Sequence, residues 1–129
     1  MRPWVWIDAQ DARAIHDRLL VLHGGATGLR DAGLLQSALA RPRQLEAYGE
    51  TVDVADLAAA YTAGLVRDHP FVDGNKRTGF VVGILFLEIN GARFAASEAA
   101  ATQAVLGLAA GTLDDAGYAA FLRENISRE

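Results

Sequence analysis

Apolar residues recur along this chain at helical spacing, and short polar or glycine-bearing stretches interrupt them. Ala12, Ile15, Leu19 and Leu22 follow one another at steps of three and four, the mark of an amphipathic helix. Asp8 is a good N-cap for it, and Asp11 in the first turn favours the helix dipole. His23-Gly24-Gly25 ends it, since glycine supplies the left-handed C-terminal turn. Asp31 caps a second helix carrying Leu34, Leu35, Ala38 and Leu39, which Pro42 is expected to stop. From Arg43 to Asp53 no period is clear. This surface segment, with a turn at Tyr48-Gly49-Glu50, reads equally as a flap or as a connector. Asp53 or Asp56 starts a third helix, with Leu57, Tyr61 and Leu65 on one face. Its small residues (Ala58 to Ala60, Ala63, Gly64) allow close packing. Pro70 disfavours helical geometry at His69, so the chain turns there.

The most hydrophobic stretch comes next. Phe80, Val81, Val82, Ile84, Leu85, Phe86, Leu87 and Ile89 leave almost no polar face. They predict a helix from Lys76 or Arg77 to about Asn90, buried all round and central to the fold. Ala92 to Ala95 reads as a short extended piece, and Trp4 to Ile7 as either a short strand or an apolar arm. Ser97 opens another helix through Ala110. Asp114 or Asp115 starts the last one, with Tyr118, Phe121 and Leu122 facing inward. The expected fold is all-α, a single compact domain over residues 1–129 with about six helices around a buried central helix.

Composition narrows the function. With 129 residues, 51% of them hydrophobic, the chain is long enough to bury a core and unlike a disordered segment. A formal charge of -4 does not suit a protein that coats nucleic acid, so any basic site must be local and direct nucleic-acid binding is not expected. The absence of cysteine excludes disulfides and thiolate metal sites and fits a reducing compartment. No signal-peptide pattern opens the chain. The run from Phe80 to Ile89 falls short of the roughly 20 apolar residues that span a bilayer. The expectation is a cytoplasmic protein with no membrane partner.

The candidate chemistry sits just before the hydrophobic helix, in His69-Pro70-Phe71-Val72-Asp73-Gly74-Asn75-Lys76-Arg77-Thr78-Gly79. Gly74 permits a backbone conformation closed to other residues. The first amides of the helix have no internal partner, and a helix start attracts anions. Lys76 and Arg77 add charge there, and the Asn75 side chain offers an amide N–H. Together they form a cradle for phosphate oxygens. Asp73 is the kind of carboxylate that holds Mg2+ beside bound phosphate. His69 carries an imidazole, the side chain suited to take a proton from a hydroxyl nucleophile near neutral pH. Phe71 is expected to bury beneath the loop as its anchor.

Each residue alone has a bland reading. A histidine before proline is commonly structural, and Asp73-Gly74 is an ordinary turn. Lys76 and Arg77 form a solvated helix end, yet cations at an N-terminus oppose the dipole and call for an anion. His16 and His23 lack a third ligand nearby and read as surface or packing residues. The chain has no Gly-x-x-x-x-Gly-Lys-Ser/Thr, Gly-x-Gly-x-x-Gly or His-Glu-x-x-His pattern.

The run from His69 to Arg77 closely resembles the signature of the Fic/Doc family, His-x-Phe-x-Asp/Glu-Gly-Asn-Gly-Arg-x-x-Arg, and within it the Doc branch. Lys76 stands where the wider family has its second glycine and Phe80 where it has its final arginine. Both departures match Doc toxins. Gly28-Leu29-Arg30-Asp31, Gly33-Leu34-Leu35 and Ala38-Leu39-Ala40-Arg41-Pro42 are similar to the N-terminal half of Doc-type proteins.

The resemblance implies a toxin that acts as a protein kinase. It would move the gamma-phosphate of ATP to a threonine of elongation factor Tu and so halt translation. A Phd-like antitoxin would neutralise it through a C-terminal segment that folds on the toxin. By the same resemblance His69 is the base, Asp73 the Mg2+ ligand, Gly74, Asn75, Lys76 and Arg77 the ATP phosphate site, and Phe71 a structural anchor. The alternative is the wider family's AMP transfer to a protein hydroxyl. Lys76 fills space that glycine leaves open, and Phe80 removes a cation, which favours a nucleotide turned to present its gamma-phosphate. The antitoxin is expected near Arg43 to Asp53 and on the first helix. Arg67 lies close in sequence but matches no motif position.

Overall fold

The computed structural model describes residues 3–49 and 51–128. Six helices follow one another: α1 (Ala9–His23), α2 (Ala32–Tyr48), α3 (Val54–Asp68), α4 (Asn75–Ile89), α5 (Glu98–Ala110) and α6 (Asp115–Glu124). Two three-residue strands, β1 (Ala92–Phe94) and β2 (Ile126–Arg128), pair antiparallel, with Arg93 opposite Ser127. The fold is thus all-α with a minor two-stranded ribbon.

Helix starts fall where the capping residues put them. Asp8 and Asp11 satisfy each other's backbone N–H, as do Asp53 and Asp56, each pair forming a capping box. Asp31, Ser97 and Asp114 cap α2, α5 and α6. The N-terminal segment is an arm rather than a strand. Val5 exchanges hydrogen bonds with the Asn90 side chain, Ile7 with the Tyr61 hydroxyl, and Trp4 and Trp6 lie against Phe86.

Three expectations are corrected. Pro42 does not stop α2, which continues to Tyr48. Leu35, Ala38, Leu39 and Pro42 form one buried stripe, so packing of the ring against the core outweighs the missing N–H. Half of the segment read as a flap or connector is therefore helical. Its remainder adjoins Asp53 at the start of α3, whereas His69 caps the far end of that helix, about 22 Å away at a normal rise. The flap reading falls; Glu50 lies outside the described residues. Finally, the most enclosed helix is α3, not α4. Ala55 and every residue from Leu57 to Val66 are buried, and α3 packs against α2, α4, α5 and α6. On α4, Phe80, Val81, Ile84 and Leu85 are half-buried and Ile89 is exposed.

Small residues explain the exchange. A Cβ on Gly64 would meet the Ala38 backbone of α2 at 3.1 Å, and one on Gly83 would collide with the Thr62 hydroxyl. Helix α3 is surrounded because its neighbours approach almost to backbone contact; the larger side chains of α4 reach outward to a second layer. Phe80, Phe94 and Phe121 form that layer, edge to face.

Candidate functional site

The loop from His69 to Gly74 joins the C-terminus of α3 to the N-terminus of α4. His69 caps α3 in a left-handed conformation, φ 55° and ψ 53°, and its N–H bonds to the Leu65 carbonyl. Pro70 disfavours right-handed helix at the residue before it. The chain turns there through the left-handed region rather than the extended one.

A second segment, residues 28–31, runs antiparallel to this loop. Leu29 and Phe71 form a β-bridge, Val72 donates to the Gly28 carbonyl at 3.0 Å, and the N–H groups of Arg30 and Asp31 both reach the Pro70 carbonyl. The Phe71 side chain is buried, as expected of an anchor. Its ring stacks on that of His16, centroids 3.9 Å apart. His16 in turn donates Nε2–H to the Asp73 carbonyl at 2.7 Å, which fixes that tautomer.

The Asp73 carboxylate bridges two loops. One oxygen accepts from the Ala26 N–H at 3.2 Å and the other from the Gly74 N–H at 2.8 Å. These two N–H groups, Ala26 first, hold its pKa below the ordinary value; slight desolvation opposes them, and the charge of Arg77 adds to their effect. Asp73 is thus an exposed, ionised carboxylate with lone pairs to spare. Gly74 is the N-cap of α4 at φ 78°, and no side chain caps the helix. The N–H groups of Asn75, Lys76 and Arg77 therefore open the helix without intrahelical acceptors. Lys76 and Arg77 are exposed and border a largely apolar cleft of about 560 Å³ between α1, α4 and α5, lined also by Leu19, His23, Phe80 and Val105.

A family model described as the Fic/DOC family matches residues 6–87. The chain belongs to the Fic/DOC family. It is 34% identical over 85 residues to "Protein kinase doc" of Escherichia phage P1, covering 66% of this chain and 68% of that relative. It is 46% identical over 80 residues to "Toxin Doc" of Mycolicibacterium smegmatis (strain ATCC 700084 / mc(2)155), covering 59% of each. These relatives support the Doc branch, and the family makes the chain a Fic-type enzyme whose substrate is a nucleotide. The region matched by the family model ends in α4 and contains the whole loop.

Among Fic/DOC loop residues, His69, Asp73 and Gly74 lie on the α3–α4 connection and Lys76 and Arg77 in the first turn of α4, all exposed except the half-buried Gly74. Asn75 is turned the other way. Its side chain is buried and exchanges two hydrogen bonds of 3.0 Å with the Phe71 backbone. The expected amide donor is already committed to the loop's own shape, and only the backbone N–H of Asn75 faces the helix start. Arg67 is likewise committed elsewhere, paired with Asp115, which also receives Arg41.

Two residues of the site escaped the sequence reading. His16 was read as a surface or packing residue, and it packs, but it also carries the Asp73 carbonyl. Its spacing of four from Ala12 puts it on the inward face of α1, a signal the chain did offer. Arg30 is the other: Nε donates to the His69 carbonyl and Nη2 to that of Asp68. Arg30 belongs to the Gly28–Asp31 stretch that resembles Doc-type proteins, but nothing local gives it a partner 39 residues away.

Proposed function

We propose that this protein is the toxin of a toxin–antitoxin pair and a kinase that moves the gamma-phosphate of ATP to a threonine of elongation factor Tu. The observation that carries the reading is the uncapped start of α4. Gly74 in a left-handed turn, free backbone N–H groups and two exposed cations meet there, with an ionised carboxylate alongside. Such a corner favours a phosphate chain over any neutral ligand.

His69 accepts the proton of the threonine hydroxyl, whose oxygen then attacks the gamma-phosphorus as the bond to the ADP oxygen breaks. Lys76, Arg77 and the helix N–H groups balance charge on the phosphate oxygens. Asp73 suits Mg2+, being an ionised, exposed carboxylate beside the start of α4. Bound there with phosphate oxygens and water, Mg2+ would supply further charge neutralisation.

The choice of phosphate over AMP transfer rests on Lys76 and Phe80. Phe80 is half-buried against Phe94, so no cation follows Arg77 one turn along the helix. Lys76 occupies the edge of the cleft that a glycine would leave open. The antitoxin partner fits the cleft better than the Arg43 to Asp53 stretch. Leu19, Phe80, Val105 and the exposed Leu106 line the cleft with apolar surface, while Arg43 is stacked over Trp6. An amphipathic segment would lay its apolar face there. The described residues contain no helix long and apolar enough to cross a membrane.

Incubation with alpha- or gamma-labelled ATP and elongation factor Tu tests the reading. Label should arrive from the gamma position alone, with a mass gain of one phosphate. A gain of one AMP overturns it in favour of AMP transfer. His69→Asn, chosen because asparagine tolerates the left-handed backbone, should lower the rate by about a hundredfold or more.

A further inference from the structure

We propose that Arg30 is a positioning residue for His69, an inference that rests on reading His69 as the proton acceptor. His69 is the one non-glycine residue with positive φ among those described. A histidine adopts that conformation only where its surroundings hold it there.

The Arg30 fork grips both sides of it. The Asp68 carbonyl belongs to the peptide plane that precedes His69, and the His69 carbonyl to the plane that follows. Arg30 Nη2 donates to the first at 2.9 Å and Nε to the second at 2.7 Å. Because guanidinium is planar and rigid, binding two successive carbonyls fixes the angle between their planes, and hence φ and ψ of His69. The backbone N–H of Arg30 adds a third point, the Pro70 carbonyl, at 2.7 Å. One residue thus sets three consecutive peptide planes.

The same contacts suit Arg30 for a structural partner rather than a substrate. Helix α3 ends at Asp68, where carbonyls lack intrahelical donors and the dipole favours a cation. The chain distance is 39 residues for the bond to His69, so the contact exists only in the folded protein. The direction of the imidazole then depends on a side chain that touches no reacting atom.

The test compares Arg30→Ala and Arg30→Lys with the unaltered full chain. Lysine keeps the charge but reaches one carbonyl at a time. In Arg30→Ala, kcat for phosphate transfer to elongation factor Tu should fall about a hundredfold, the cost of a misplaced group. KM for ATP should stay within about twofold. Arg30→Lys should fall between. The sequence has three histidines, so the ring signals in NMR separate readily. Those of His69 should shift, and its backbone couplings should lose their left-handed value, while His23 is unmoved. A rise in KM with kcat intact would overturn the proposal by making Arg30 a substrate ligand. Unmoved His69 signals in both variants would also overturn it. If the unaltered protein transfers nothing from ATP, the kinase reading fails, and the His69 signals alone still decide the role of Arg30.

Discussion

The imidazole of His16 lies flat on the ring of Phe71, planes 6° apart, and its Nε2 reaches past that ring to the Asp73 carbonyl. One side chain of α1 thereby holds both the buried and the exposed halves of the loop. His16→Phe should keep the stack and lose the donor, destabilising the fold by about 1 kcal/mol, while His16→Ala should cost about 3 kcal/mol or more. Urea unfolding measures both. Hydrogen exchange at Gly74 should quicken in either variant, since Asp73 loses a support.

Asn75→Ala tests whether that amide serves the loop or a ligand. Removal strands a buried N–H and carbonyl of Phe71, so the protein should lose about 2 kcal/mol of stability without any nucleotide present. A purely ligand-binding amide would leave the melting temperature alone.

Lys76→Ala and Arg77→Ala should behave in the opposite way. Both side chains are exposed at a helix N-terminus, where cations oppose the dipole. Stability should hold or rise slightly, by a few tenths of a kcal/mol. Transfer activity should fall by about a hundredfold or more. Thermal melts and rates on the same samples give the comparison.

Far from the loop, Arg123 binds Asp53 through two nitrogens and Asp56 through one. This hydrogen bonding holds the Asp53 pKa at about 2 against an ordinary 3.8, with burial opposing. A depressed folded value means that the stabilisation is present above about pH 4 and lost as the pH falls toward 2. Both partners are about half exposed, so the pair is worth no more than about 1 kcal/mol. Arg123→Gln should lower the melting temperature at neutral pH, and the difference from the unaltered protein should vanish near pH 2.

Helix starts and the loop's content were legible because they are local. Asp8 with Asp11, Asp53 with Asp56, and Ser97 with Ala100 are contacts three residues apart, set by the geometry of one turn. Pro42 misled because a local rule against proline gave way to burial of its ring. The choice of α4 as centre misled because hydrophobicity was read where closeness of approach mattered: Gly64, Gly79 and Gly83 let backbones meet around α3.

From residue order alone came the all-helical class, the caps and a loop chemically fit for phosphate. What three dimensions added was the division of labour among the loop's polar groups. Asn75 turns inward to Phe71, Arg67 turns away to Asp115, and His16 and Arg30 come in from 57 and 39 positions distant. No spacing rule reaches that far. Such contacts form only after helices have packed, when each buried carbonyl must find whichever donor the fold has brought beside it.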